Sequence, residues 1–269
     1  MSWSTGRSDD VSVNHCIGSL APQTIAARMS VLQISGVVAA IAGLAYGGYT
    51  YASRSATSQL FGSTLVAPKK PDEIALTFDD GPNPRWTPQL LDILAQRNVR
   101  ATFFLIGQFA ATQHALVRRT HEAGHLIGNH TWTHPNLART STSSTREELT
   151  RTSAELEQII GAPIRYFRPP YGIRRPATLQ IARELGLIPV TWNIIGNDWN
   201  APSAQQIIDR VNRRMARNAL GGRATNLVLH DGGHLSLEAD RSRTVAAART
   251  LLEQHAATHQ FVPLDQWTS

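Results

Sequence analysis

The sequence predicts an α/β protein whose repeated strand and helix units form a closed or nearly closed parallel β/α barrel. From Glu73 onward, short runs rich in β-branched and aromatic residues alternate with amphipathic stretches that have helical spacing. About seven such repeats fit into roughly 200 residues, which is the rhythm of a β/α barrel. An open, doubly wound sheet stays an alternative, because alternation alone does not fix the order of the strands.

The individual elements follow from apolar periodicity and from end signals. The predicted strands are Ile74–Phe78, Ala101–Ile106, Leu126–Gly128, Tyr166–Arg168, Ile188–Asn193, Leu227–His230 and Phe261–Pro263. The predicted helices are Thr87–Arg97, His114–Ala123, Thr145–Ile160, Ala177–Leu185, Ala204–Met215 and Arg241–His255. The first helix has Pro88 in its first turn, and three others end at Gly124, Gly161 and Gly186, residues suited to a left-handed C-cap.

Three segments precede the predicted domain, which covers residues 73–269. Residues 1–28 are polar and without periodicity, which predicts a disordered tail, and residues 54–72 are predicted to be a linker. Residues 29–53 carry no charge and are long enough to cross a bilayer as one hydrophobic helix. We predict a single-pass anchor in the cell membrane with the folded domain outside the cytoplasm. A cleaved export signal, giving a secreted protein, and a buried helix are the alternatives.

Charge and cysteine content exclude several classes of function. The 26 basic residues exceed the 20 acidic ones by six, yet the arginines are spread along the chain, so we predict no nucleic-acid partner. Cys16 is the single cysteine, which excludes an intrachain disulfide and a thiolate zinc cluster. A metal site in this chain must therefore use histidine, aspartate or glutamate side chains.

Candidate metal ligands follow two of the predicted strands. Asp79 and Asp80 come after the first strand, where an Asp-Gly turn with two solvated carboxylates is the plain alternative. His130 and His134 follow the third strand, and on one helical turn their side chains project from the same face. Two histidines and one aspartate leave coordination positions open, as in a catalytic zinc site, and a parallel β/α fold gathers strand ends at one face.

Two further strings follow later strands. Arg168-Pro169-Pro170-Tyr171-Gly172 stiffens a turn and leaves the Tyr171 amide as a donor for an oxyanion; a rigid loop with a surface arginine is the alternative. His230 ends another predicted strand, and the ordinary pKa of histidine suits a proton donor.

Taken in order, Thr77–Pro82, His130–His134, Arg168–Gly172, Asp198-Trp199 and Leu229-His230 resemble the five motifs of the polysaccharide deacetylases. This family is also known as carbohydrate esterase family 4, or the NodB homology domain. The resemblance spans residues 73 to about 265 and implies a distorted (β/α)7 barrel.

The resemblance also implies roles for individual residues. Asp80, His130 and His134 would hold a divalent metal ion, zinc first, with cobalt, nickel or manganese as alternatives. Asp79 would be the catalytic base that activates water, and Arg168 would orient it and pair with its charge.

Further residues complete the implied site. The backbone N–H of Tyr171 would stabilise the tetrahedral oxyanion. His230 would protonate the departing amine, tuned by Asp198, while Trp199 and Leu229 would line the pocket for the acetyl methyl group.

The chain departs from the family at Ile195, where many members carry an aspartate three residues before the match to Asp198. His234 has two interpretations, a substrate contact or a mobile loop tip after two glycines. The other histidines are interpreted as solvated or helix-surface groups: His15, His114, His121, His125, His255 and His259.

The implied activity is removal of N-acetyl groups from amino-sugar polymers or oligomers, such as peptidoglycan, chitin-like chains or poly-N-acetylglucosamine. Two alternatives are an O-acetyl esterase acting on xylan-type polysaccharide and a non-catalytic carbohydrate-binding envelope protein. A non-haem iron oxygenase also uses two histidines and a carboxylate, but its usual setting is an antiparallel barrel.

Overall fold

The structure, a computed structural model, describes residues 31–268. All strands belong to the compact unit that begins at Ala45. The strands are β1 Glu73–Gly81, β2 Thr102–Leu105, β3 Leu126–Asn129, β4 Tyr166–Phe167, β5 Ile188–Pro189, β6 Ile194–Ile195, β7 Thr225–His230 and β8 Gln260–Phe261. The α-helices are α1 Val31–Arg54, α2 Thr87–Gln96, α3 Gly107–Ala110, α4 His114–Glu122, α5 Thr142–Ile160, α6 Pro176–Glu184, α7 Ala204–Leu220 and α8 Ser242–His255.

The strands form one parallel, curled sheet in the order β5-β4-β3-β2-β1-β7-β6. Strands that are adjacent in this order are also consecutive in the chain, with one exception. The exception is the pair β1 and β7, the first and the last strand of this path in chain order. The ladder is open between β5 and β6, and β8 adds to the start of β1 through Glu73 and Ile74. The predicted distorted (β/α)7 barrel is confirmed, because a doubly wound sheet would reverse its strand order at an internal switch point.

Burial on both faces explains why the middle of β1, Ile74–Phe78, is apolar at every position except Thr77. All nine of its residues are buried, as expected for a parallel strand covered by helices. Phe78 of this strand stacks on Phe103 of β2 with ring centroids 5.0 Å apart. Helix α5 ends where Gly161 takes a left-handed φ of 69° and donates its N–H to Glu157, as the C-cap signal predicted.

The predicted strand Ile188–Asn193 is shorter in the structure, where β5 covers only Ile188–Pro189 and a separate short strand, β6, follows at Ile194–Ile195. Between them Asn193 accepts a hydrogen bond from Asn226 N–H with its side-chain oxygen and donates to the Ala224 carbonyl. Together with a 3.3 Å bond from the Asn193 N–H to the Asn226 carbonyl, these bonds tie Asn193 to β7, while the ladder stays open between β5 and β6. The four-residue helix α3 was not predicted, because it is too short to show a period.

The predicted membrane anchor is wrong. Helix α1 carries four glycines, three tyrosines and Ser35, which lower its mean hydropathy. Among residues 31–268, no helix combines the length and the apolar character that a membrane span requires. The predicted tail of residues 1–28 lies outside the described part of the chain, as do residues 29 and 30 of the predicted anchor.

The segment that was predicted to be a linker makes specific contacts with the barrel. Leu65 donates its N–H to the Pro189 carbonyl at 2.8 Å, and Pro68 accepts from the Ala224 N–H at 2.9 Å. The buried Arg174 side chain donates to the carbonyl of Ser58 at 2.7 Å. The compact unit therefore begins well before the predicted boundary at residue 73.

Candidate active site

Seven of the ten predicted site residues line one cavity of about 530 Å³ where the strands of the barrel end. They are Asp79, Asp80, His130, His134, Tyr171, Trp199 and His230. Arg168, Asp198 and Leu229 are buried and do not line this cavity. The fold thus brings together side chains that lie up to 151 positions apart in the chain, between Asp79 and His230.

Three ligand-type side chains converge on one point of the cavity wall. Oδ1 of Asp80, at the end of β1, lies 3.4 Å from Nε2 of His130 and 3.2 Å from Nε2 of His134. Zinc bonds of about 2.0–2.1 Å place neighbouring ligand atoms of a tetrahedral site roughly 3.3 Å apart. Both carboxylate–imidazole distances therefore fit a shared metal ion.

Hydrogen bonding prepares these atoms for a cation. Nδ1 of His130 lies 2.8 Å from the carbonyl oxygen of Arg168, which can only accept, so Nδ1 carries the proton and Nε2 offers its lone pair. Oδ1 of Asp80 is buried without a hydrogen-bond partner among the described residues. A buried oxygen that faces two imidazoles without a partner is unfavourable, and a metal ion would satisfy it.

The protonation states also suit a metal. Burial alone would raise the pKa of Asp80, but the surrounding histidines, His130 and His234 first among them, hold that pKa well below its usual value. Burial, together with the charge of His130, lowers the pKa of His134 to about 3. At neutral pH the site therefore presents a carboxylate and neutral His134, the forms that bind metals.

His130 and His134 lie on a loop rather than on the predicted helical turn. The loop takes left-handed backbone angles at Thr131 and His134, with φ of 69° and 59°. Glu148 of α5 holds it by accepting hydrogen bonds from the N–H groups of Trp132 and Thr133, at 2.7 and 2.8 Å. Strained backbone held by surrounding structure is common at functional sites. No local pattern identifies Glu148, because its role depends on the packing of α5.

Arg168 is fully buried and fixes one oxygen of Asp79. Its Nη1 atom donates to Asp79 Oδ1 and to the Thr77 hydroxyl, each at 2.7 Å. Its guanidinium lies 4.1 Å from the ring centroid of Phe104. The alternative of a surface arginine is wrong. The second oxygen of Asp79, Oδ2, faces the metal-ligand group, 3.9 Å from His130 Nε2.

His230, which lines the cavity, forms a hydrogen-bonded pair with the buried Asp198. Asp198 Oδ1 lies 2.8 Å from His230 Nδ1, and its Oδ2 accepts from the His230 N–H at 2.9 Å and the Thr244 hydroxyl at 2.7 Å. Burial acts to lower the pKa of His230, but the charge and hydrogen bond of Asp198 raise it to about 9, with help from Asp80 and Asp79. Ile195 takes no part in this pair and instead lines the cavity.

The Tyr171 loop forms one edge of the cavity. Tyr171 lies in a short 3-10 turn with a left-handed φ of 58°. The turn is held by a 2.9 Å hydrogen bond from Gly172 N–H to the Pro169 carbonyl, and Arg174 donates to the Gly172 carbonyl at 2.9 Å. The Tyr171 side chain is 49% exposed. The backbone is thus fixed, as an oxyanion donor requires.

The prediction that Leu229 lines the acetyl pocket is wrong. Successive residues of β7 point to opposite faces, so Leu229 packs in the core among the helices, while Val228 lines the cavity. Trp199 does line the cavity, with its ring edge-on to His230 at a centroid distance of 5.0 Å. Trp192 also lines it and was missed, because it lies in the break between two strands rather than in a motif.

Two other polar residues were misread or missed. His125 was interpreted as a surface group, yet it is 4% exposed and its Nδ1 accepts the N–H of Ala101. Burial lowers the pKa of His125 to about 4, with a contribution from Arg100. Asp231 directly follows His230, is fully buried and accepts a 2.5 Å hydrogen bond from the Thr87 hydroxyl, which ties the cavity loop to α2.

Comparison with known proteins agrees with this geometry. A family model described as polysaccharide deacetylase matches residues 67–190. A peptidoglycan-N-acetylglucosamine deacetylase of Bacillus cereus is 38% identical over 168 residues, which are 62% of this chain and 60% of that protein. A chitooligosaccharide deacetylase of Azorhizobium caulinodans is 36% identical over 183 residues, 65% of this chain and 84% of that protein.

A solved structure has the same fold. The crystal structure of the Bc1960 peptidoglycan N-acetylglucosamine deacetylase superposes with a TM-score of 0.66 at 33% identity, covering 75% of this chain and 90% of that one. The fold and cavity define a β/α-barrel protein with a candidate Asp-His-His metal centre. The chain belongs to the polysaccharide deacetylase family, as its ordered motifs predicted.

Proposed function

We propose that this chain is a metal-dependent hydrolase that removes N-acetyl groups from amino-sugar polymers or oligomers. One observation carries the proposal: a group that could hold a metal ion, the carboxylate of Asp79 and the imidazole of His230, whose pKa is raised, all line the same cavity. Amide hydrolysis needs these parts together, because water is a weak nucleophile and an amine anion is a poor leaving group. Relatives named as deacetylases of peptidoglycan and chitooligosaccharides support the substrate class.

Asp80, His130 and His134 would hold the metal ion, with zinc as the first candidate. A divalent cation in this position supplies Lewis-acid chemistry, polarising the amide carbonyl and lowering the pKa of water. The remaining steps belong to groups of the chain itself.

Asp79 is the base in this scheme, and its available atom is Oδ2. Arg168 occupies Oδ1, so Oδ2 is the oxygen left to take a proton from the attacking water. The oxygen of that water bonds to the acetyl carbon, and the Tyr171 N–H donates a hydrogen bond to the resulting oxyanion.

His230 is the acid. Asp198 holds its Nδ1, which leaves Nε2–H to protonate the amine nitrogen as the carbon–nitrogen bond breaks. The products are acetate and a free amine. Tyr171 and Trp199 lie on the cavity wall with 49% and 47% of their surfaces exposed, and offer flat apolar faces to a sugar ring.

The substrate class can be tested by comparing three acetylated polymers. Purified protein is expected to release acetate and an equal amount of free amine from N-acetylglucosamine oligomers or peptidoglycan. Acetate release from acetylated xylan alone would instead select an O-acetyl esterase. Binding of N-acetylglucosamine oligomers by metal-loaded protein without any acetate release would select a non-catalytic carbohydrate-binding protein.

The pH dependence of turnover should report on the His230–Asp198 pair. An acid with a raised pKa is protonated below that pKa, so kcat is expected to fall as the pH rises through about 9. A cation at the triad would offset the contributions of Asp79 and Asp80, which leaves Asp198 as the group that sustains the shift.

Asp198→Asn removes that charge, and the alkaline fall in kcat should move down by about 1–3 pH units. Thr244→Val is the matched control, since it removes one hydrogen bond to Asp198 but keeps the charge. An alkaline limit that stays in place in Asp198→Asn would show that His230 is not the group that titrates.

A further inference from the structure

His234 occupies a position that none of the family motifs explains. It lies on the loop between β7 and α8, and its ring stacks on the metal-ligand candidate His134, with centroids 4.5 Å apart and an interplanar angle of 23°. Its Nδ1 atom is 3.8 Å from Oδ2 of Asp80, the carboxylate oxygen that does not face the other imidazoles. Its Nε2 atom is 3.3 Å from the Tyr171 hydroxyl.

These neighbours fix the proton arrangement on the ring. In the metal site proposed above Asp80 binds as a carboxylate, which can only accept, so the imidazole nitrogen that faces it, Nδ1, must carry hydrogen. Nε2 of the neutral ring is then an acceptor, and the Tyr171 hydroxyl is the donor within reach. The Tyr171 hydroxyl therefore donates to His234 Nε2, and the N–H at His234 Nδ1 points to Oδ2 of Asp80.

The loop around His234 is anchored by hydrogen bonds on both sides of this residue. Arg241 donates from Nε to the Gly232 carbonyl at 2.7 Å, which fixes the start of the loop. The Gly233 carbonyl accepts the Ser236 N–H at 3.0 Å, so the backbone on both sides of His234 is held. A rotation of the His234 side chain is then what would shorten the 3.8 Å separation to a hydrogen bond. Hydrogen bonds at such sites are often long before substrate and cofactor are in place.

We propose that His234 is a positioning residue for the metal centre, donating to Asp80 Oδ2 so that Oδ1 is the oxygen that binds the ion. Ligating carboxylates depend on such outer contacts, whose loss typically lowers metal affinity by about 10–100-fold. Stacking on His134 fixes a second ligand of the same ion. This inference rests on the metal site of the proposed function, but it concerns metal affinity and not deacetylation.

The test measures the dissociation constant for Zn²⁺ by competition with a chromogenic chelator, together with the visible spectrum of the Co²⁺-loaded protein. His234→Ala is expected to weaken Zn²⁺ binding by about 10–100-fold. His234→Asn keeps an N–H close to the position of Nδ1 and should restore affinity to within about threefold of the original protein. His121→Ala, on the surface of α4, is the matched control and should change nothing.

Three results would overturn the proposal. The first is unchanged Zn²⁺ affinity in His234→Ala, and the second is an Asn variant as weak as the Ala variant. The third is a raised KM for N-acetylglucosamine oligomers with unaltered metal affinity and Co²⁺ spectrum, which would make His234 a substrate contact. Because zinc binding is read without any substrate, a failed deacetylase assay leaves this test intact.

Discussion

Replacing Asp79 with asparagine is expected to lower kcat for deacetylation by about 10²–10⁴-fold while leaving metal affinity within a few-fold of the original. The amide cannot take a proton from water, but its oxygen can still accept the hydrogen bond from Arg168. The three metal-ligand candidates are untouched by this change. Acetate release and chelator competition on the same preparation measure the two quantities.

The neighbouring aspartate provides the matched control. Asp80→Asn should lose metal affinity as well as activity, because Oδ1 of Asp80 faces both imidazoles at 3.2–3.4 Å. A urea denaturation curve shows whether Arg168, which is left without a full counter-charge, has weakened the fold of Asp79→Asn. Full activity in Asp79→Asn would contradict its role as the base.

Replacing His130 with alanine is expected to abolish both metal binding and turnover. Loss of an outer-shell contact typically costs 10–100-fold in metal affinity, so loss of a ligand should cost more than about 100-fold. The Nδ1–H bond to the Arg168 carbonyl is lost as well, which removes one tie between the two loops. Isothermal titration with Zn²⁺ measures the change directly.

His114→Ala is a suitable control for this variant, since His114 is a surface residue of α4 paired with Glu155. Its zinc affinity and acetate release should match those of the original protein. The double variant His130→Ala/His134→Ala gives the sharpest outcome. Zinc binding that survives in the double variant would refute the ligand assignment.

The sequence alone predicted the β/α architecture and most elements to within a few residues. Periodicity located β1, α2 and α5, because each has a strong apolar pattern and clear end signals. It missed the break between β5 and β6, because Asn193 in that break is held by hydrogen bonds to Ala224 and Asn226, which are remote in the chain. Only the strand order distinguishes the barrel from the doubly wound sheet. The sequence could not predict that order, because it depends on contacts between segments that are remote in the chain.

For the candidate site, the prediction from the sequence was good for residues in motifs and poor for residues whose position depends on packing. Short motifs singled out Asp80, His130 and His134, which the structure brings together in one group that could hold a metal ion. Leu229 was predicted to face the cavity, but it faces the core, and its neighbour Val228 faces the cavity. Side chains alternate between the two faces along β7, so an error of one residue is enough to assign the wrong face. Glu148 could not be predicted for a different reason. It accepts the N–H of Trp132 only because the fold packs α5 against the loop that carries His130 and His134.

The central claim, metal-dependent N-deacetylation, is tested most directly by removing and restoring the metal while acetate release from N-acetylglucosamine oligomers is followed. We expect chelation to stop the release of acetate and of free amine together, and about one equivalent of Zn²⁺ or Co²⁺ per chain to restore both. Acetate release that persists in metal-free protein, or none from fully metal-loaded protein on any amino-sugar substrate, would contradict the account.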